Sequence, residues 1–336
     1  MTITDEKSQA LRQAWFDYLD AVEPVRAPLH AYGLRLTGNV WDAEDLVQET
    51  LLRGFGMIGR GDLHGAGSPV GSAKAYLFRV ATHLYIDAER RRARERAAMA
   101  QPTTDPMGVD PDAVRHAGER LFAAASPQAR AAVLLKDVFG FDLREMADLL
   151  RTSTGAVKAA LHRGRAGLRE PVLPAARLGP PRSLIDAFVD AYNARDVARL
   201  LAVVTETVSL EVLGVGGGRG LGPDDGWVQW AIANPVRAEP ARVDGENVVV
   251  LLFRTADGER LVDVLRLEGL DGRVSRIVDH SYAADTMDFV AKALGRSNMG
   301  LGYHQQSGDL AAMIATTTRP WESPGAVAPP PRAPPA

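Results

Sequence analysis

Cysteine is absent from the 336 residues, which excludes disulfide bonds, thiolate-bound zinc and a cysteine nucleophile. No apolar run approaches the ~18–20 residues that a membrane-spanning helix needs, and residues 1–20 contain no signal-peptide core. The net charge is only −3, from 39 basic and 42 acidic side chains, so any basic surface must be local. Apolar residues make up 46% of the chain, which suffices for folded cores. We therefore expect a soluble, cytoplasmic protein without membrane contacts.

Two helical blocks and a mixed block follow one another along the chain. Apolar residues recur every three or four positions over about 11–99 and again over 119–170. Proline-containing stretches follow each of these blocks. The expected division is a helical domain at 1–100, a linker at 101–118, a helical domain at 119–170, a linker at 171–182, a mixed domain at 183–295 and a tail at 296–336 with a mobile, proline-rich end.

The mixed block predicts an α+β domain. Helical spacing over 184–204 precedes four segments of strand-like composition, at 208–213, 248–254, 261–267 and 274–279. Asp257-Gly258 and Asp271-Gly272 are dipeptides typical of two-residue hairpin turns. The predicted fold class is therefore multidomain, with two all-α domains followed by an α+β domain.

An acidic helix begins after Gly38. Asn39 is placed to cap it, and its apolar residues follow the helical period, so that one face packs on a core. The opposite face is predicted to carry Asp42, Asp45, Gln48 and Glu49. An ordinary solvated surface and a docking surface for a basic partner both fit this pattern.

A basic helix follows over about 72–96. Between Lys74 and Arg96 it carries seven basic and three acidic residues, with Tyr76, His83 and Tyr85 among them. This combination suits a single nucleic-acid strand, because its phosphates attract cations and its bases stack on aromatic rings. A basic helix end that complements its own dipole is the alternative.

Three short helices are predicted between residues 126 and 169. Ser126-Pro127 is typical of a helix start, and Gly140 of a helix end. Asp142 and Glu145 form a capping box for the second helix, over 143–150. Residues 152–154 cap the third helix, over 155–169.

The third helix carries four basic residues and no acidic one between Lys158 and Arg169. Two short helices, a tight turn and a basic third helix are typical of a helix-turn-helix that binds duplex DNA. A plain three-helix bundle is the alternative. Arg151 occupies the turn position that glycine usually holds, which predicts local backbone strain.

In this order and at this spacing, the three motifs resemble extracytoplasmic-function (ECF) sigma factors of the sigma-70 class, over about residues 11–170. The acidic helix resembles the region 2 helix that docks on the β′ clamp of core RNA polymerase, with Asp42, Asp45, Leu46, Gln48 and Glu49. The basic helix resembles the −10-reading and melting helix, with Lys74, Tyr76, Arg79, His83, Asp87, Arg90 and Arg91. The third helix resembles the region 4 helix that recognises the −35 element, with Thr154, Lys158, His162, Arg163 and Arg165. The family implies core polymerase and promoter DNA as partners, and no metal, cofactor or catalytic residue.

Residues 183–196 and the later strands resemble a SnoaL-like domain of the nuclear-transport-factor-2 (NTF2)-like fold. In sigma factors that carry this domain it modulates sigma activity, which implies contacts between it and the sigma regions. Gly216, Gly217, Gly218 and Arg219 resemble a regulatory Asp-Gly-Gly-Gly-Lys loop of this group, with Val215 in place of the acid and Arg219 in place of the lysine. A plain flexible loop is the alternative.

The resemblance implies a sigma factor that directs core polymerase to −10 and −35 elements, melts the promoter and initiates transcription, with its activity modulated by the fused domain. A ligand-responsive helix-turn-helix regulator that does not bind core polymerase is one alternative, and a SnoaL-like enzyme with a helical appendage is another. Asp279-His280 is the nearest acid–base pair, but neighbouring strand residues point to opposite faces, so we expect no catalysis. A small-molecule ligand of the domain and a purely structural regulator both remain open.

Overall fold

The computed structural model describes residues 3–58, 73–99, 126–166, 179–255 and 258–299. The predicted linker at 101–118, most of the linker at 171–182, Asp257 and the tail from residue 300 onward lie outside these ranges. No helix in the described ranges is both long enough and apolar enough to cross a bilayer.

The first helical block consists of α1 (Ile3–Thr37), α2 (Val40–Ile58) and α3 (Ala73–Met99). Gly38 separates α1 from α2 with a φ of 69°, in the left-handed region that glycine adopts without strain. The predicted cap of α2 is confirmed, because the side-chain oxygen of Asn39 accepts hydrogen bonds from the backbone N–H groups of Trp41 (3.0 Å) and Asp42 (3.1 Å).

The second helical block is the predicted helix-turn-helix. Its helices are α4 (Pro127–Val133), which continues as one π-helical turn (Leu134–Val138), α5 (Leu143–Leu149) and α6 (Thr154–Ala166). The Ser126 cap and the Asp142–Glu145 capping box are both present. Arg151 has a φ of 49°, which confirms the predicted left-handed turn residue and its strain.

The two helical blocks share one hydrophobic core. Phe139, after the π-helical turn, packs edge-on against Tyr32 of α1 (5.4 Å between ring centroids) and Phe78 of α3 (5.0 Å). The guanidinium of Arg130 in α4 donates to the carbonyl oxygen of Leu36 at the end of α1. In the described conformation the helix-turn-helix is thus packed on the three-helix block.

The third block confirms the predicted α+β class. Its helices are α7 (Arg182–Asn193), α8 (Val197–Ala202), α9 (Gly226–Ala233) and α10 (Ala284–Ala293). Its strands are β1 (Val204–Val212), β2 (Gly216–Arg219), β3 (Val236–Val243), β4 (Glu246–Thr255), β5 (Gly258–Leu270), β6 (Arg273–Asp279) and β7 (Ser297–Asn298). The strand order is β2-β1-β6-β5-β4-β3, with β7 beside β5. Of these pairs, β1–β6 and β5–β7 are parallel and the others antiparallel.

All four predicted strands are present, and Asp271-Gly272 forms the predicted turn between β5 and β6 with φ values of 50° and 76°. Asp244-Gly245 forms a second such turn, between β3 and β4, which was not predicted. The predicted loop at residues 216–219 is wrong, both as a regulatory loop and as a plain flexible one, because these residues form strand β2, paired with β1. Their regulatory role stays a prediction. Helices α9 and α10 and strand β3 were not predicted.

The sheet is buried on both faces. One face packs on α7 and α9 through a cluster that includes Phe188 and Phe253. The other face packs on α10, and its cluster also contains Val40 and Trp41 from the start of α2. The third block therefore encloses the first turn of the acidic helix.

Candidate functional site

The acidic face of α2 is partly exposed. The side chains of Asp45 and Glu49 are 54% and 48% exposed, whereas Asp42 and Leu46 are half-buried. The prediction that Gln48 shares this exposed face is wrong, because Gln48 is only 8% exposed. Its amide turns inward and donates to the carboxylate of Glu44 at 2.7 Å. A buried carboxylate needs donors, and Gln48 is one turn away on the same helix.

Glu44 is the buried centre of a polar network that sequence reasoning missed. Its carboxylate accepts hydrogen bonds from Arg26 of α1 (3.0 Å) and from the hydroxyl of Thr286 in α10 (2.6 Å) and lies 3.7 Å from His30 Nε2. Burial alone would raise its pKa, but Arg26, His30 and the hydrogen bonds from Thr286 and Gln48 lower the pKa of Glu44 to about 2. This network joins the helical block to the α+β block.

The α+β block also covers the first turn of α2. The indole N–H of Trp41, which is fully buried, donates to the carbonyl of Val243 (3.3 Å). The carboxylate of Asp244 accepts the backbone N–H of Val40 at 2.7 Å and so acts as a second cap. Arg266 of β5 lies over the Trp41 ring, 5.2 Å from its centroid, and within 3.6 Å of Asp45.

The basic helix α3 differs from its prediction at the aromatic positions. Tyr76 is 8% exposed and Tyr85 is buried, so neither ring is available for base stacking in this conformation. The reason is that α3 packs between α1 and α2 on one side and α4 and α5 on the other. The contact with α4 and α5 was not predicted from the sequence. His83 is half-buried beside Leu149, and burial and Arg151 lower its pKa.

The charged residues of α3 remain at the surface. Lys74 lies over the rings of Phe78 (5.9 Å) and Phe141 (5.7 Å), which ties it to the helix-turn-helix. Arg79 is half-buried over the Tyr76 ring, at 5.3 Å. The remaining predicted residues take part in exposed ion pairs within the helix, namely Asp87–Arg90 (3.7 Å) and Arg91–Glu95 (3.9 Å).

The predicted residues of the recognition helix α6, Thr154, Lys158, His162, Arg163 and Arg165, are all exposed. Lys158, His162 and Arg165 line one groove of about 590 Å³ together with Lys136, whereas Arg163 lies elsewhere on the exposed surface. Arg165 is held by Asp137 of the π-helical turn through two hydrogen bonds of 2.6 and 3.0 Å. The groove presents a row of cationic and hydrogen-bonding groups of the kind that contacts DNA phosphates and base edges.

The glycine strand β2 lies beside the helical block. Residues 216–219 are exposed and form one wall of a groove of about 670 Å³, whose other wall carries Leu52 and Phe55 of α2. The turn before β2 contacts α1, because the indole N–H of Trp15 donates to the carbonyl oxygen of Gly214 at 2.7 Å. The predicted contact between the α+β domain and the sigma-like helices is therefore present at this groove, at Trp41 and at Glu44.

The Asp279-His280 pair is split as predicted. Asp279 lines a cavity on the α9 side of the sheet, whereas the buried His280 ring packs edge-on against Trp41 on the other side, at 5.3 Å. In the described part of the chain, no group of three or more histidine, aspartate or glutamate side chains could hold a metal ion.

Comparison with known proteins places these surfaces in a family. Residues 21–95 match sigma-70 region 2, and residues 120–168 match sigma-70 region 4. The ECF RNA polymerase sigma factor SigL of Mycobacterium tuberculosis is 36% identical over 169 residues, which cover 48% of this chain and 88% of SigL. The chain belongs to the ECF sigma factor family. SigG of the same organism, another ECF sigma factor, is 32% identical over 258 residues, 65% of this chain and 64% of SigG, so the chain spans just under two thirds of that relative.

Two solved structures superpose on parts of this chain. The ECF sigma factor SigJ of Mycobacterium tuberculosis superposes with a TM-score of 0.28 and 21% identity, over 78% of this chain and 95% of SigJ. A putative ketosteroid isomerase from Kribbella flavida superposes with a TM-score of 0.25 and 22% identity, over 29% of this chain and 74% of its own.

Proposed function

We propose that this chain is a cytoplasmic ECF sigma factor that brings core RNA polymerase to promoters with specific −10 and −35 elements. The observation that carries the proposal is that this member of the family has both an exposed acidic edge on α2 and an exposed row of cationic side chains on α6. Asp45 and Glu49 would contact the basic clamp surface of the polymerase, and Lys158, His162 and Arg165 would contact the −35 duplex. No step in this function needs a catalytic side chain.

Promoter melting would require a change from the described conformation. Tyr85 is buried, and the guanidinium of Arg130 in α4 lies 5.8 Å from its ring centroid, so α4 must move away from α3 before this ring can stack on a base. Extruding a base from duplex DNA costs a few kcal/mol, which contacts with the exposed strand must offset. Arg79 and Arg90 would then neutralise phosphates of the open strand.

The SnoaL-like domain is proposed to modulate this activity through α2. Its residue Arg266 lies over Trp41 and beside Asp45, so the domain holds one end of the surface assigned to core polymerase. In the full chain, Arg266→Ala should change promoter output relative to the exposed control Arg273→Ala, measured by run-off transcription with core polymerase. Equal output from both variants would contradict modulation through this contact.

The sigma function itself is tested by transcription and by association with core polymerase. Purified full-length chain plus core polymerase should initiate from discrete sites on genomic DNA, and Glu49→Lys should weaken co-purification by reversing an exposed charge. Asp224→Lys, an equal charge reversal on the exposed surface of the α+β domain, is the matched control. Specific DNA binding with no association with core polymerase would instead favour a helix-turn-helix regulator of another class.

A further inference from the structure

The α+β domain contains a cavity of about 470 Å³ between the sheet and α9. This volume lies within the range of small-molecule pockets, and such pockets combine apolar walls with a few polar groups. Its walls include the indole rings of Trp227 and Trp230 and the ring of Tyr282, and its polar groups include Asp263, Asp279 and Ser281. Among the described residues that line it, none is basic.

A β-bulge directs Asp263 into this cavity. Val264 pairs with Val250 and Asp263 with Leu251, but the next pair joins Leu261 to Leu252, so Val262 has no partner on β4. The extra residue interrupts the alternation of faces, and Val262 and Asp263 both line the cavity although they are neighbours in sequence. Bulges of this kind are enriched beside functional sites because they re-aim a side chain.

Asp263 and Asp279 form a buried acid pair in the wall of this cavity. The Asp263 carboxyl group accepts hydrogen bonds from the backbone N–H groups of Val264 (2.6 Å) and His280 (3.1 Å). Burial, and next the charge of Asp279, raise the pKa of Asp263 well above its ordinary value. Asp279 accepts hydrogen bonds from Ser281 Oγ (2.6 Å) and from the indole N–H of Trp227 (3.2 Å).

A second, independent feature lies in the same part of the core. The hydroxyl of Tyr192 is fully buried and has no hydrogen-bond partner in the described part of the chain. Its ring packs edge-on against Trp227, and its surroundings include the charges of Asp263 and Asp279. A buried polar atom without a partner is uncommon in a folded core and requires a specific explanation.

Two buried carboxyl groups, aromatic walls and the absence of a basic side chain among the described lining residues match one ligand chemistry. We propose that this cavity binds a small organic ammonium ion, with its cationic group beside Asp279 and its apolar part against Trp227 and Trp230. Indole faces attract ammonium groups more strongly when water is excluded, and a buried carboxylate supplies the counter-charge. A neutral ligand would leave the buried acid pair without a counter-ion.

The cavity is connected to the contact between the two halves of the chain. Val212 and Val215 line both this cavity and the groove between β2 and α2. Tyr282 lines the cavity and packs against the core of the helical blocks. A ligand in the cavity would therefore lie against residues that the sigma-like helices also contact.

The test is direct binding to the purified full-length chain, measured by isothermal titration calorimetry without polymerase or DNA. The probes are phenethylamine and its trimethylammonium analogue, with phenethyl alcohol and acetophenone as uncharged counterparts. We expect saturable binding of at least one ammonium probe, roughly tenfold tighter than either uncharged probe. Absence of saturable ammonium binding, or equal or tighter binding of an uncharged probe, would overturn the proposal. Because the assay contains no transcription component, either result leaves the proposed sigma function to its own test.

Two isosteric variants test the acid pair. Asp279→Asn removes one carboxyl group from the cavity and should abolish the preference for ammonium probes. Asp224→Asn, the same change at an exposed carboxyl group outside the cavity, should leave ammonium affinity unchanged. Equal affinity of the Asp279→Asn variant for the ammonium probe would contradict the assignment.

A third variant tests the aromatic wall without altering the acid pair. Trp230→Leu keeps an apolar surface and removes the indole face, so it should weaken ammonium binding about tenfold and leave the binding of phenethyl alcohol nearly unchanged. Parallel loss of both probes would show that the cavity had collapsed, and ammonium binding by the parent chain would then decide the proposal. Unchanged ammonium binding would exclude the indole contact.

Discussion

At the scale of single residues, Glu44 shows how a buried charge joins distant parts of the chain. It lies on the side of α2 that packs against α1, and its partners Arg26 and Thr286 are far apart in sequence. An acidic residue among the apolar positions of an amphipathic helix is the signal that could have identified it. The identity of its partners could not be predicted, because they come from α1 and α10.

Replacing Glu44 by Gln should destabilise the chain strongly. Removing one partner of a buried ion pair typically costs about 3–5 kcal/mol, and of its two carboxylate partners Arg26 would keep only Asp285, at 2.7 Å. Glu49→Gln, the same change at an exposed position of α2, should alter the free energy of unfolding by less than ~0.5 kcal/mol. Urea unfolding of both variants measures the difference, and similar midpoints would contradict the role given to Glu44.

His280 predicts loss of stability in mild acid. Burial, and next the charge of Arg266, lower its pKa from an ordinary 6.5 to about 4. The folded chain therefore favours the neutral ring, so the stabilisation is complete above about pH 6.5 and is lost as the pH falls toward 4. His280→Asn should flatten the slope of unfolding free energy in this window, by up to ~1.4 kcal/mol per pH unit. His30, whose pKa burial also lowers, acts in the same direction, so part of the slope should remain.

At the scale of elements, local signals were read reliably from the sequence. The caps at Asn39, Ser126 and Asp142 and the turn at Asp271-Gly272 depend on residues within a few positions of one another, so their chemistry is visible without a fold. Strand β3 was missed because Pro240 interrupts its pattern. Its position at the edge of the sheet makes that proline tolerable.

Two glycines of α6 predict opposite outcomes for the same substitution. A Cβ on Gly164 would lie 2.6 Å from the backbone oxygen of Ala129 in α4, so Gly164→Ala must push these helices apart. Gly155 has only Ser153 Oγ nearby, at 3.8 Å, so Gly155→Ala should stabilise the helix by roughly 0.5–1 kcal/mol. Thermal unfolding of both variants tests the close approach of α4 and α6, and equal shifts in Tm would contradict it.

The ion pair between Arg165 and Asp137 predicts a gain in DNA binding. Asp137 occupies the Arg165 guanidinium through two hydrogen bonds, so Asp137→Asn should free it and remove a negative charge near the phosphates. Affinity for a −35 duplex should rise several-fold, as measured by fluorescence anisotropy at fixed salt. The gain should vanish in the Asp137→Asn/Arg165→Ala double variant, and a gain that persists would assign the effect to charge alone.

At the scale of the whole molecule, the α+β domain and the helical blocks share an extensive interface. Val40 and Trp41 of α2 belong to the same apolar cluster as strands β4 and β5 and helix α10. The indole N–H of Trp15 and the Glu44 network add polar contacts at two other points. Any conformational change that exposes the start of α2 must disrupt these contacts together.

Trp41 should therefore control the docking of the two halves. Trp41→Ala removes a fully buried indole and should cost about 3–5 kcal/mol. Hydrogen exchange should show lost protection at the start of α2 and throughout α10, because both helices contribute residues to the apolar cluster around Trp41. Leu52→Ala, at a 54% exposed position of the same helix, is the control and should leave both helices protected. Loss of protection confined to α2 would contradict a shared interface.

The absence of cysteine excluded disulfide bonds, thiolate zinc sites and a cysteine nucleophile, and the net charge of −3 required any basic surface to be local. The order of the acidic, basic and helix-turn-helix motifs sufficed to predict the family and the fold class. These are properties of composition and of residues close together along the chain. Which of the predicted residues are accessible was decided by tertiary structure alone. Gln48 turns toward a buried carboxylate, Tyr85 is covered by Arg130 of the helix-turn-helix, and a bulge brings Asp263 to the same cavity as Asp279. Burial and carboxylate pairing depend on contacts between segments far apart in sequence, and no local pattern encodes them.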